Sequence, residues 1–253
     1  MNYIGFWTLY YKETLRFLKV YNQTLFAPVI NSLLFLAIFT LAIGADRQVV
    51  GDISFSEFII PGLIAMVITQ NAFANTSSSM TMGKVLGHII DLLIPPISAA
   101  EITLALALAG ITRGIMVGAL TAVTMLFFVD FEIYHIGLLI FYVISASLLL
   151  SLLGVLCGLL SNSFDQMSAI TSYVITPLSF LSGTFYSVKK LPEFWYQVSY
   201  YNPFFYMIDG MRYAMTNYSD GSLTFGMIYL TTINIATYIL TYYLIKIGYR
   251  LKS

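Results

Sequence analysis

The chain has 253 residues, of which 58% are hydrophobic and only 9% charged. A soluble domain carries about 25% charged residues, so a water-soluble globular fold is excluded and the chain reads as an integral membrane protein. Twelve basic and twelve acidic residues cancel, which argues against a nucleic-acid partner; the single cysteine, Cys157, permits no intrachain disulfide.

Residues 3–21 read as an interfacial helix. Ile4, Trp7, Tyr11, Leu15 and Leu18 follow helical spacing, with Lys12, Arg16 and Lys19 on a neighbouring face. Such a helix lies in the headgroup region rather than crossing it. The charges also interrupt the continuous apolar region that a cleavable signal peptide needs. The helix is either a plain membrane anchor or a connection to a cytoplasmic partner.

Uncharged runs mark six transmembrane helices, over 20–45, 58–83, 102–129, 133–164, 166–188 and 221–245, the third interrupted only by Arg113. About 20 helical residues cross the hydrocarbon, and each run reaches that length. Span one begins near Phe26-Ala27-Pro28, where proline is tolerated in a first turn, and ends at Gly44-Ala45-Asp46. Pro61-Gly62 is expected to kink one end of span two. The other end is polar, with Gln70, Asn71, Asn75 and the run Thr76 to Ser79. Buried polar groups at this depth need partners on neighbouring helices or water. Asn71 and Asn75 therefore tie helices together or line the inner end of a conduit.

Lys84 to Glu101 is too short and too charged to span, and Ile89, Leu92 and Leu93 form one face of a short helix stopped before Pro95-Pro96. In span three, Gly110, Gly114 and Gly118 remove one side chain per turn, so another helix of this chain or of a second copy can approach closely. A central arginine costs ~2.5–3.5 kcal/mol on insertion scales, so Arg113 is expected to face protein or water. Span four repeats the small-residue spacing with Ser147, Ser151, Gly154 and Gly158. Its expected partner is span five, after a tight turn at 161–165, and Pro177 should break or kink that fifth span.

Residues 186–220 are too polar to cross a bilayer and too aromatic for an ordinary loop. Between Phe185 and Tyr206, ten of 22 residues are aromatic, the composition of a membrane–water boundary. Leu191-Pro192-Glu193 and Tyr201-Asn202-Pro203 each place a proline where a first helical N–H needs no partner, and Asn202 is a good N-cap. Two short helices that sit at the surface or re-enter it are expected.

With six spans both termini share one side. Lys12, Arg16, Lys19, Lys84, Lys246, Arg250 and Lys252 fall there, against Arg47, Lys189, Lys190 and Arg212 opposite. Basic residues favour the cytoplasm, so both termini are expected inside. Asp46, Asp52, Glu57, Asp130, Glu132, Glu193, Asp209 and Asp220 then fall outside with the aromatic stretch.

Enzyme chemistry finds little support. His88 and His135 fall on opposite sides, and neither has metal-ligand spacing to Cys157. No carboxylate pair lies within a span, which argues against a proton-coupled carrier. Gly83-Lys84 is followed by Val85 and preceded by no matching glycine, so there is no P-loop.

Two motifs together resemble the ABC-2 transporter permease family, and within it the YadH-like bacterial inner-membrane permeases. The first is S-G-x-x-Y, L-P, N-P and a following arginine: Ser182, Gly183, Tyr186, Leu191, Pro192, Asn202, Pro203 and Arg212. The second is an acidic residue, two leucines, P-I-S and a glutamate: Asp91, Leu92, Leu93, Pro96, Ile97, Ser98 and Glu101. Ser187 stands where many members have proline, and Pro95 where a small polar residue is usual. The resemblance implies one ABC-2 transmembrane domain over 1–253. It implies a homodimer coupled through 84–100, Ile94 included, to a separate ABC ATP-binding subunit that holds the ATP and magnesium, with no cofactor in this chain. It implies an external gate that, with Phe185 and Phe204, comprises the first motif. Amphipathic, lipid-linked or drug-like cargo would leave by alternating access across a bacterial inner membrane. A channel or secondary carrier working alone, or a non-transporting membrane scaffold, are the alternatives.

Overall fold

The computed structural model describes residues 2–50 and 53–251. Asp52 and Lys252, whose charges entered the expected topology, lie outside the described residues, as does the side chain of Leu93. Helix α1 (Tyr3–Leu18) leads through a π turn at Asn22–Phe26 into α2 (Ala27–Ile43), with Pro28 in its first turn. An antiparallel hairpin, β1 (Gln48–Val50) with β2 (Ile53–Ser54), delivers the chain to α3 (Phe55–Val85). There Ser54 and Glu57 close a capping box. The short α4 (Ile89–Leu93) connects to α5 (Ala99–Met125), and α6 (Ile136–Leu160) returns beside it. α7 (Phe164–Ile170) and α8 (Thr176–Leu181) are one helix interrupted by a π turn at Thr171–Ile175. Then come α9 (Glu193–Tyr201), α10 (Pro203–Thr216) and α11 (Leu223–Lys246).

Among the described residues, five helices are long and apolar enough to cross a bilayer: Asn22–Ile43, Phe55–Val85, Ala99–Met125, Ile136–Leu160 and Leu223–Lys246. The expected span over 166–188 is shorter and more polar than anticipated. Its helix, α7 with α8, begins beside Asp165 and Gln166 and stops at Leu181, because Gly183 takes a φ of +80° and turns the chain. At 1.5 Å per residue it is about 27 Å long, close to the ~30 Å of hydrocarbon. Pro177 follows the π turn, a common adjustment where a proline removes a helical N–H.

α3 is the axis of the fold. It is the most buried of the five, enclosed by α5 and α6, while α2 and α11 expose most of their surface. The small-residue stripes of α5 and α6 explain this arrangement. Side chains at Gly110, Gly114 or Gly118 would run into α3 or α6, and side chains at Gly154 or Gly158 into Thr76 and Met80 of α3. The glycine stripe of α5 is therefore filled within the chain. α6 packs on α3 and α5 rather than on α7, contrary to the sequence reading, because its small residues face the α3 axis. Pro61 lies inside α3, which continues past it.

α1 differs from a simple interfacial helix. Ile4, Trp7 and Tyr11 are exposed as an outer apolar face, but Phe6, Leu9 and Phe17 form a second stripe buried against the protein. Glu13 is buried with them.

Candidate functional site

At the aromatic end of the bundle, four residues of the first motif, Ser182, Gly183, Asn202 and Arg212, meet in a hydrogen-bonded knot, with Tyr186, Leu191 and Pro192 outside its hydrogen bonds. The Asn202 Nδ2 donates to Ser182 Oγ (2.7 Å) and to the Leu178 carbonyl (3.1 Å). Its Oδ1 caps α10 by accepting from the Phe204 N–H (3.1 Å). Asn202 thus ties the end of α8 to the start of α10 with one amide. Pro203 occupies the first turn of α10 as expected; Pro192 instead sits just ahead of α9 as its N-cap.

Arg212 is 1% exposed. Its Nη2 donates to the Gly183 carbonyl and its Nε to the Phe58 carbonyl (3.4 Å), and the guanidinium lies 3.9 Å from the centre of the Phe58 ring. Among the described residues, no carboxylate pairs with it directly. Carbonyls and a ring face supply its partners, a use for which arginine's planar fork is suited. The loop it grips packs tightly on α3: a Cβ on Gly62 would stand 2.5 Å from the Thr184 carbonyl oxygen. Thr184 Oγ1 donates back to the Ser179 carbonyl (2.7 Å).

Two buried acids that sequence reading assigned only to a side brace the knot. Asp209 accepts from the backbone N–H groups of Asp220 (2.7 Å) and Gly221 (3.0 Å). Asp220 accepts from Ser187 Oγ (2.7 Å), the Val188 N–H (3.0 Å) and the Tyr218 hydroxyl, with Lys189 Nζ at 3.8 Å. Ser187 therefore uses the hydroxyl that a proline would lack. Burial pushes the Asp209 carboxyl up, opposed by the two N–H donors and the Arg212 charge. Burial and the Asp220 carboxylate push the Tyr218 phenol up to about 12.

The two helices differ in setting. α10 is buried nearly throughout, whereas α9 exposes Phe194, Trp195, Val198 and Tyr201 on one side. Leu191 and Tyr186 are half-buried at the edge of the core. Phe185 stacks on Phe39 of α2 (4.6 Å between centroids) and Phe180 of α8 (5.3 Å), so the loop also fastens the two peripheral helices.

At the opposite end, the segment joining α3 to α5 has both joints fixed. Lys84, which the sequence places only as one of the basic residues expected on the side of the termini, is 7% exposed. Its Nζ donates to the Leu159 (2.8 Å) and Ser161 (2.7 Å) carbonyls, so it caps the C-terminus of α6. At the other joint, Ser98 and Glu101 form a capping box on α5. The free Glu101 Oε1 accepts from the Asn2 backbone N–H, while Asn2 Nδ2 donates to the Pro96 carbonyl (3.2 Å). Ile97 packs on Gly5 of α1. Between these joints, Ile89 and half-buried Leu92 turn onto the cluster around Phe6 and Leu9. Among the described side chains of α4 and its C-cap, Ile90 (57% exposed), Ile94 (74% exposed) and Asp91, which pairs with His88 at 3.6 Å, face outward, as do Val85 and Leu86 ahead of the helix.

Inside the bundle, Asn71 and Asn75 meet two different arginines. Arg113 Nη2 donates to Asn71 Oδ1 (3.0 Å), and Asn71 Nδ2 donates to its own helix at the Val67 carbonyl. Arg16 of α1 donates to the Asn75 carbonyl (2.6 Å), to Asn75 Oδ1 (3.2 Å) and to Ser78 Oγ (3.2 Å), while pairing with Glu13 at 3.0 Å. Asn71 also lines a cavity of about 300 Å³ between α2, α3 and α7–α8, with Asn31, Gln70, Thr171 and Thr176. Arg16, Glu13, Lys84, Thr184, Asp209 and Asp220 escaped the sequence reading as site residues. The spacing of Glu13 and Arg16 was visible as an i, i+3 pair, but nothing local marks such a pair as buried.

The chain is similar to proteins of known family along nearly all its length. The profile of the ABC-2 type transporter family matches residues 4–216. The inner membrane transport permease YadH of Escherichia coli K12 is 36% identical over 248 residues, covering 97% of this chain and 96% of the relative. The proteins of that name in Escherichia coli O157:H7 and Shigella flexneri match to the same extent.

Proposed function

The chain belongs to the ABC-2 type transporter family, and from that premise we propose that it is the membrane-spanning permease subunit of an ATP-driven exporter, paired as a homodimer with separate ABC ATP-binding subunits. The observation that carries this reading is the outward presentation of Ile90 and Ile94 on a short helix whose two joints are locked. An exposed apolar pair beyond the spans fits a cleft on a protein partner, and a connector without slack passes displacement to α3 and α5. Leu92 and Ile97 then hold α4 to α1 and the core, while Asp91 at the rim sets orientation and encounter rate. ATP and magnesium belong to the partner.

Basic residues favour the cytoplasm, which puts both termini and α4 inside and the knot outside, in the inner membrane where the YadH relatives are named. α7–α8 crosses as a sixth, short span. α9 lies at the outer surface with its aromatic face toward lipid, and the knot acts as an external gate whose position depends on α8 and α10 together. The exposed Ser172 and Tyr173 of the π turn support a second copy seated beside this helix, since polar groups at membrane depth seek protein partners. The cavity at Asn71 lies on the same side and suits amphipathic, lipid-linked or drug-like cargo moved by alternating access. ATP hydrolysis in proteoliposomes holding this chain and its ATPase, compared with the ATPase alone, tests the reading. Hydrolysis independent of this chain would overturn it.

A further inference from the structure

We infer that an apolar groove beside the loop joining α5 and α6 holds a lipid with an ammonium headgroup. The groove, about 400 Å³, runs between α3, α5 and α6, with Ile68, Ala119, Ala122, Val143 and Ile144 on its walls. Its lining is almost wholly apolar, and it opens on the sides of helices long enough to cross a bilayer. Hydrocarbon therefore fills it in a membrane.

Its mouth has a different chemistry. Phe131 and Met215 also line a second cavity of about 690 Å³ at the aromatic end of the bundle, so the two spaces adjoin across these side chains. Glu57, Asp130 and Glu132 line this second space, and among the described residues no basic side chain does. Among the described residues no ion pair reaches these three carboxylates; Glu57 is engaged in the Ser54 capping box, while Asp130 and Glu132 are exposed. A negative mouth on an apolar channel complements an amphiphile whose tail enters the groove and whose cationic group stops at the acids. In a phospholipid leaflet, phosphatidylethanolamine carries that group on two acyl chains. A phosphatidylglycerol headgroup offers hydroxyls and a net negative charge, which the mouth repels. The inference does not depend on ATP-driven export, because it concerns a bound lipid and not cargo.

The test counts lipid on the intact purified chain by native mass spectrometry, with equal amounts of dioleoyl phosphatidylethanolamine and dioleoyl phosphatidylglycerol supplied. A preference of about tenfold for the ethanolamine lipid, ~1.4 kcal/mol, is expected. Asp130→Asn with Glu132→Gln, both exposed and outside the capping box, should reduce it to about twofold or less. Ala119→Phe, at an exposed wall position, should lower retention of both lipids at unchanged oligomeric state. Equal binding of the two lipids, or a preference that survives removal of both carboxylates, overturns the inference. A change in oligomeric state with Ala119→Phe would show a second copy of the chain on this surface, and also overturns it.

Discussion

Replacing Asn202 separates what the knot does for folding from what it does for gating. The wild-type amide makes two donor contacts, to Ser182 and Leu178, and one cap contact, from Phe204, in a site only 7% exposed. Asn202→Ala loses an N-cap, worth ~1 kcal/mol, and leaves the Leu178 carbonyl and Ser182 hydroxyl one partner short, at ~1 kcal/mol for each hydrogen bond. The expected loss of ~3 kcal/mol corresponds to a fall of about 6–12 °C in melting temperature for a chain of this size. Asn202→Asp keeps the cap acceptor and removes both donors, so it should fall between the two. Thermal unfolding of the detergent-solubilised chain measures stability, and transport with the ATPase measures gating. Asn202→Ala melting within 2 °C of wild type would refute the knot as described. If Asn202→Asp melts within a few degrees of wild type yet transports poorly, the donors to α8 serve the gate beyond stability.

Lys84→Met removes the charged donor that caps α6 and should destabilise by ~2–3 kcal/mol, seen as a lower melting temperature; an unchanged value would show the cap to be dispensable. Gly62→Ala forces a methyl onto the Thr184 carbonyl and should cost ~1–3 kcal/mol while sparing the helix itself, which circular dichroism would confirm. Asn71→Leu with Arg113→Met exchanges an arginine that has no carboxylate partner among the described residues for apolar volume and should be neutral or stabilising, as in other buried charge replacements; a marked loss of stability would mean that Arg113 has partners beyond Asn71. A single cysteine at Lys189 in a Cys157→Ala chain should label from outside intact cells, and labelling only after permeabilisation would reverse the proposed orientation.

Much of this arrangement was legible in the sequence because it depends on period and length. The long uncharged runs gave the five long helices, and Asn202-Pro203 marked the start of α10. The glycine stripe of α5 identified a close helix contact. Harder to read were features decided by depth. A polar end on α3 is compatible with solvent, a conduit or burial, and only the packing of α1 shows that Arg16 fills it. The 166–188 run reads as a span because it carries no charge, yet its helix stops at Leu181, where Gly183 turns the chain and Arg212 and Thr184 hold the loop on α3. Ile89, Leu92 and Leu93 formed the obvious apolar face of α4; Ile89 and Leu92 face inward because α1 supplies a surface for them, which no local pattern announces. Ile90 and Ile94, four residues apart, are left outward.

Coupling through α4 is tested most directly by dividing its apolar residues according to where they face. Ile90→Ala with Ile94→Ala removes only outward-facing side chains, and a well-buried interface contact is worth ~2 kcal/mol or more. That variant should keep the wild-type melting temperature and lose co-purification of the ATPase, together with chain-dependent hydrolysis in proteoliposomes. Leu92→Ala should lower the melting temperature first, since Leu92 packs on the protein's own core. Wild-type ATPase retention and hydrolysis in the double isoleucine variant would contradict coupling at this helix.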